Sequence, residues 1–136
     1  MTKDRPQIAT EKTGIWGEKQ AEKFLKKAGH KILGRRVRVG DRDEIDLITR
    51  TGEIVVFVEV KTRKSERYGR PAAAVDRDKR RTLSRAAVRY MKTKNFPKIH
   101  FRFDIVEVIG KVGDRSPEIR HLENAFRLDR KYRLPF

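Results

Sequence analysis

An α/β fold is predicted, a mixed β-sheet with helices packed on it in the order α-β-β-β-α-β. Three observations predict it. Two segments carry apolar side chains at helical spacing, and the segments around them alternate or run apolar as strands do. The run Ile54-Val55-Val56-Phe57-Val58-Glu59-Val60-Lys61 is apolar on both faces until its end turns ionic. A strand of that kind is central to its sheet, with its tip opening into a site.

Residues 1–13 are polar and mixed in charge, with Ile8 isolated, and are expected to form a mobile N-terminal tail. Ala21, Phe24, Leu25 and Ala28 then set a helix over 15–28, and Gly29 stands where a helix end wants a left-handed residue. Residues 31–39 alternate weakly as an arginine-rich strand, and 40–43 form a turn. Residues 44–49 and 54–61 read as two strands of a hairpin closed at Thr51-Gly52. Residues 62–71 form a basic loop. Asp76 caps a second helix running to Lys92, with Leu83, Ala86, Ala87, Tyr90 and Met91 as its apolar stripe. Asn95-Phe96-Pro97 ends it; 101–109 is a strand, 110–117 a loop and 119–126 a short apolar-spaced segment. One domain over 14–127 is therefore expected, followed by a basic, partly ordered tail over 128–136.

Composition narrows the function. A chain of 136 residues supports one core, and 35 Lys and Arg against 19 Asp and Glu leave a net charge of +16. The absence of Cys excludes disulfide frameworks, Cys-based zinc sites, iron–sulfur clusters and thiol nucleophiles. No apolar run approaches the roughly 20 residues of a membrane helix, and residues 1–13 lack a secretory core. A soluble, cytoplasmic protein with a polyanionic partner and no membrane is expected.

Glu59 and Lys61 lie two apart on one strand and so share a face. Closing the hairpin at Thr51-Gly52 pairs positions whose numbers sum to about 103. Glu44 then faces Glu59, and Asp46 faces Phe57, diagonal to Glu59. Three carboxylates on one patch repel unless Lys61 or a divalent cation neutralises them, and oxygen donors without a neighbouring His suit Mg²⁺ or Mn²⁺. The plainer alternative is a cross-strand salt-bridge ladder on a solvated face. Glu18 lies within about 20° of Leu25 around the first helix, so it either reaches inward or stays an exposed flank charge. Lys79 is in line with the second helix's stripe, where it either joins the site or snorkels to solvent.

Other basic residues fall into groups. Arg81, Arg85 and Lys92 point away from the second helix's core stripe; Arg35, Arg36 and Arg38 cluster on the early strand. Arg63, Lys64, Arg67 and Arg70 decorate the loop leaving the acidic tip, where Tyr68 either stacks on a base or pins the loop. His30, His100 and His121 read as structural or surface residues, and Trp16 as packing. No Gly-rich phosphate loop or nucleophile motif is present.

An acidic helix residue, an Asp and then E-x-K after a hairpin is the order of the PD-(D/E)xK nucleases, the restriction-endonuclease-like superfamily. More closely, the chain resembles the YraN-like family of small bacterial predicted endonucleases and is similar to archaeal Holliday-junction resolvases. The matching stretches are Gly14-x-x-Gly17-Glu18-x-x-Ala21, Glu44-Ile45-Asp46-Leu47-Ile48, Phe57-Val58-Glu59-Val60-Lys61-Thr62-Arg63, Gly69-x-Pro71, Lys79, Phe103-Asp104, and His121 with Asn124-Ala125-Phe126. Asp43 stands where the family usually has Gly and is expected to stiffen the loop beside Asp46. Ala86 replaces a Gln of some related nucleases, so that extra motif is not carried over.

The resemblance implies a restriction-endonuclease-like sheet and metal-dependent hydrolysis of nucleic-acid phosphodiesters, DNA first, with branched and single-stranded forms among the candidates. Asp46 and Glu59 would hold Mg²⁺ or Mn²⁺, with the Val60 carbonyl a further ligand and Glu44 an auxiliary acid. Lys61 would position the attacking water or stabilise the transition state, and Glu18 would complete the acidic cluster. Lys79, with Arg63, Lys64, Arg67, Tyr68 and Arg70, would contact the nucleic acid. A non-catalytic nucleic-acid-binding protein on the same scaffold is the alternative, and a homodimer stays open.

Overall fold

Val56 and Val58 on one side of the central strand and Val55 and Phe57 on the other give it two faces that water cannot cover, so helices must pack on both. In the computed structural model, which describes residues 4–64, 77–94 and 99–132 with side chains from Glu11 onward, that strand is β3 (Ile54–Arg63). It is the middle of a five-stranded sheet ordered β1-β2-β3-β4-β5. Its neighbours are β1 (Lys31–Val39), β2 (Asp43–Thr51), β4 (His100–Ile109) and β5 (Glu118–Phe126). β3 and β4 run parallel and every other pairing is antiparallel. The connection between β3 and β4 carries α2 (Arg77–Thr93), and α1 (Asp4–Lys27) precedes β1. The mixed sheet between helices is as expected, with β5 added at the edge where only an apolar-spaced segment was foreseen.

Each helix covers one face. Ala21 and Leu25 of α1 pack on Leu47, Val56, Val58, Val106 and Val108. Leu83, Ala86, Ala87, Tyr90 and Met91 of α2, the stripe read from the sequence, pack on Ile48, Val55, Phe57, Phe103 and Ile105. At about 1.5–3 kcal/mol for each large apolar side chain removed from water, these two layers dominate the stability of the fold. Among the described residues, no helix is long and apolar enough to cross a membrane.

Three boundaries differ from expectation. α1 begins at Asp4, so the helix extends through most of the segment read as a tail. The hairpin turns at Gly52-Glu53 rather than Thr51-Gly52, because Gly52 takes the first loop position with φ of 59°, a value few other residues tolerate. After β5 the chain docks on α2: the Asp129 N–H donates to the buried Ser84 hydroxyl at 3.0 Å, and Arg81 lies 3.6 Å from the Asp129 carboxylate. The proposed Asp76 cap and the Asn95-Phe96-Pro97 stop lie outside the described residues.

One close approach fixes α1 on the sheet. A Cβ at Gly17 would lie 1.9 Å from Thr62 Oγ1, so only glycine lets the helix settle on the end of β3. Gly17→Ala is expected to lower stability by about 1–3 kcal/mol despite its gain in helix propensity, because overpacking outweighs it. Urea unfolding should show this loss, and adding Thr62→Ala should recover much of it.

Candidate active site

The β2–β3 pairing runs from Thr51↔Ile54 to Leu47↔Val58. This register is two positions out from the one expected, as the shifted turn requires. An even shift keeps the side chains of the paired stretch on their expected faces. It also changes partners: one step past the last pair, Asp46 rather than Glu44 comes across from Glu59. Glu44 is exposed and paired in register with Arg38 on β1, so its expected position facing Glu59 is not the one adopted.

The ladder stops there because the Asp46 side chain takes the place of a strand partner: the Val60 N–H donates to Asp46 Oδ2 at 2.8 Å. Strand alternation also breaks at Asp46. Ile45 packs in the α2-side cluster, whereas Leu47, two residues on, packs in the α1-side cluster. On β1 the matching break is Arg36, whose φ of 44° is unusual for a side chain with a Cβ. Arg35 and Arg36 thereby both reach α1: Arg35 bonds Glu22, and Arg36 grips Glu18 through Nε at 2.8 Å and Nη2 at 3.0 Å.

Five elements therefore meet at one point: Glu18 on α1, Arg36 on β1, Asp46 on β2, Glu59 on β3 and Lys79 on α2. Glu59 is buried, with Oε1 3.2 Å from Lys79 Nζ. Burial, and then the Glu59 charge, push the Asp46 carboxyl up to about 7; the Val60 N–H and Lys79 oppose the rise, and Glu18 adds to it. Lys79, expected as a phosphate contact, is placed as a cation on Glu59.

Lys61 is half-buried two residues beyond Glu59 and in register with Glu107 of β4. Its charge, with that of Arg63, acts on Glu107, whose carboxyl is pushed upward by burial. Arg63 is half-buried and Lys64 exposed beyond the end of the site, while Arg67, Tyr68 and Arg70 lie outside the described residues.

Sequence reasoning missed two supports. Asp43, expected to stiffen a loop, is buried in β2 and accepts two bonds from Arg85 at 2.8 and 2.7 Å; the guanidinium holds its carboxyl below the usual range. Arg85 thus turns toward the sheet rather than away from the core stripe. Asp104, fully buried, accepts from Arg102 at 2.9 and 3.1 Å, from His121 Nε2 at 2.7 Å and from the Asn124 N–H at 2.9 Å. Burial alone would raise its carboxyl, but these bonds outweigh it and hold it low. His30 bonds Thr49 and packs against His121, consistent with their structural reading.

Among the described residues, no group of three or more His, Cys, Asp or Glu side chains forms a metal cage. The Asp46–Glu59 pair still fits a hard divalent cation, because Mg²⁺ is usually held by one or two carboxylates and completes its shell with water and substrate phosphate. Burial does most to raise Asp46, and the Glu59 repulsion that adds to it is what such a cation would relieve.

The model of an uncharacterised protein family, UPF0102, matches residues 17–108. The chain belongs to the UPF0102 family. That span holds Glu18, Asp46, Glu59, Lys61 and Lys79, and is the YraN-like family to which the motifs pointed. The UPF0102 protein of Clostridium acetobutylicum is 40% identical over 117 residues, covering 86% of this chain and 95% of its own. The UPF0102 protein of Syntrophomonas wolfei is 43% identical, covering 83% of this chain and 96% of its own. That of Chloroherpeton thalassium is 42% identical, with 84% and 92% covered.

The raised Asp46 carboxyl makes a pH prediction for this UPF0102 protein. An unfolded Asp loses its proton near 4, whereas Asp46 in the fold keeps its proton to about 7. The resulting stability is therefore full below pH 4 and is lost as pH rises to 7. Asp46→Asn should flatten that decline and raise the stability read by urea unfolding at pH 8, by of order 2–4 kcal/mol. Equal stability of the two proteins at pH 8 would contradict the half-buried, repelled state of Asp46.

Proposed function

We propose that the chain is a divalent-metal-dependent endonuclease that hydrolyses phosphodiester bonds, with DNA as its first candidate substrate. The observation that carries this reading is the Asp46–Glu59 pair, two carboxylates set against each other at the end of the β2–β3 ladder in a protein of net charge +16. The order of Glu18, Asp46 and Glu59-x-Lys61 along the chain supports membership of the PD-(D/E)xK superfamily, with archaeal Holliday-junction resolvases as similar proteins. On this reading the protein works in the cytoplasm.

Asp46 and Glu59 would hold Mg²⁺ or Mn²⁺. When bound, the ion supplies charge neutralisation at the scissile phosphate and an acidified water. The chain's own residues do the rest. Glu18, fixed by Arg36, keeps negative charge beside Asp46 and so favours a cation there. Lys61, from the strand end beyond Glu59, offers an ammonium to a phosphate oxygen or to the attacking water. Lys79 competes with the cation for Glu59. That same ion pair favours a second reading, a nucleic-acid-binding protein in which Lys79 alone neutralises Glu59 and no turnover occurs.

A cleavage screen with Mn²⁺ over duplex, junction, flap, single-stranded DNA and RNA separates the two readings. Asp46→Asn and Glu59→Gln should abolish cleavage and leave DNA binding intact or stronger, since each removes repulsion against phosphate. Lys61→Met should cut turnover by about 100-fold or more, some 3 kcal/mol of barrier, without loss of Mn²⁺ affinity. Cleavage by Lys61→Met at the parent rate would remove that lysine from the machinery; absence of cleavage by the parent on every substrate favours the binding protein.

A further inference from the structure

A second charged feature is built on α2, the helix that brings Lys79 to Glu59. Arg77, Arg80 and Arg81 of α2 and Arg127, Arg130 and Lys131 after β5 line a cleft of about 700 Å³ whose one carboxylate among the described residues is Asp129. Its walls are fixed. Phe126 is buried and stacks on Phe103 with ring centroids 4.7 Å apart, and the Arg80 guanidinium lies 6.0 Å from the centre of the Phe126 ring. Asp129 is used internally: its N–H donates to Ser84, and its carboxylate accepts the Lys131 N–H at 2.9 Å and faces Arg81.

Among the described residues, Arg77, Arg80, Arg127 and Arg130 form no ion pair. Concentrated positive charge on a concave, rigid wall repels itself until an anion enters, and several charges at once call for a polyvalent one. The position points to which. Lys79, in the same turn of α2 as Arg77 and Arg80, touches Glu59, so the first turn of that helix carries both a residue of the acidic site and residues of the cleft. Among the described residues the exposed large hydrophobic side chains are Ile15, Leu33 and Val112, none of which lines the cleft, so a membrane-inserting surface is not what the wall offers.

We propose that this cleft binds the phosphodiester backbone of the nucleic acid flanking the cut, so that a strand held at Asp46 and Glu59 crosses the first turn of α2 into it. The proposal rests on the nuclease reading of the acidic site for what lies at the other end of the strand. Backbone binding of this kind sets grip and orientation and carries no base specificity.

The test is fluorescence anisotropy of a labelled DNA duplex with EDTA present, between 50 and 200 mM salt, so that neither metal nor cleavage enters. The triple variant Arg77→Ala, Arg80→Ala, Arg130→Ala should bind at least tenfold more weakly at low salt. Its log K against log salt slope should shrink by about 0.9 for each phosphate no longer neutralised, that is by about 2–3. A control, Lys23→Ala, Lys27→Ala, Lys31→Ala, removes the same charge at the far end of α1 and the start of β1 and should stay near the parent. Thermal melts of both variants establish that they are folded. Parental binding by the cleft variant, an equal weakening in the control, or tighter parental binding to phosphatidylserine vesicles than to DNA would each overturn the proposal. Failure of the parent to cleave any substrate overturns the nuclease reading alone, because this assay reads the cleft without turnover.

Discussion

A strand that parts from its neighbour leaves backbone N–H groups needing another acceptor. At the parting of β2 from β3 that acceptor is the Asp46 carboxylate, bonded to the Val60 N–H. Because the bond ties a charged side chain to the middle of the sheet, Asp46 sits in partial burial opposite Glu59, and the surroundings are arranged to tolerate the two charges. Lys79 comes from α2 and the Glu18–Arg36 pair from α1 and β1. Both helices are drawn to the same end of the sheet by further contacts, α1 through the Gly17–Thr62 approach and α2 through Asp43 and Arg85.

Magnitudes distinguish charges that hold the fold from charges that do not. Lys26–Glu22 and Arg120–Glu118 are surface pairs, each worth about 0–1 kcal/mol at most. Asp43 and Asp104 are buried and fully bonded, and removing a partner from such a group costs about 3–5 kcal/mol. Asp46 is different, since burial and Glu59 both penalise its charge rather than satisfy it. A pair that lowers stability at neutral pH is more readily explained by what it binds than by what it holds together.

The sheet was legible because alternation and two-sided apolarity are local: β1, β3 and the α2 stripe follow from spacing alone. The grouping of Asp46 with Glu59 was legible too, since parity survives an error of two residues. What was not legible depended on geometry at single positions. The hairpin register turned on which residue took positive φ, and that moved Glu44 out of the site. Arg36 also left the regular strand path, which sequence alternation cannot show, and so met Glu18, the helix acid whose inward reach the spacing did allow. Arg85, read as outward by helical spacing, is long enough to bend back to Asp43; Asp104 gathers Arg102, His121 and Asn124 across two strands.

The proposed site requires Asp46 and Glu59 together to hold one divalent cation. Paramagnetic broadening of backbone amide resonances by Mn²⁺ tests it most directly, because the Val60 amide is bonded to Asp46 itself. At substoichiometric Mn²⁺ the Asp46, Glu59 and Val60 amides should vanish first, while those of Gly52 and Glu53, at the far end of the same hairpin, stay sharp, and Glu59→Gln should abolish the selectivity. Broadening centred elsewhere, or unchanged in Glu59→Gln, would contradict it.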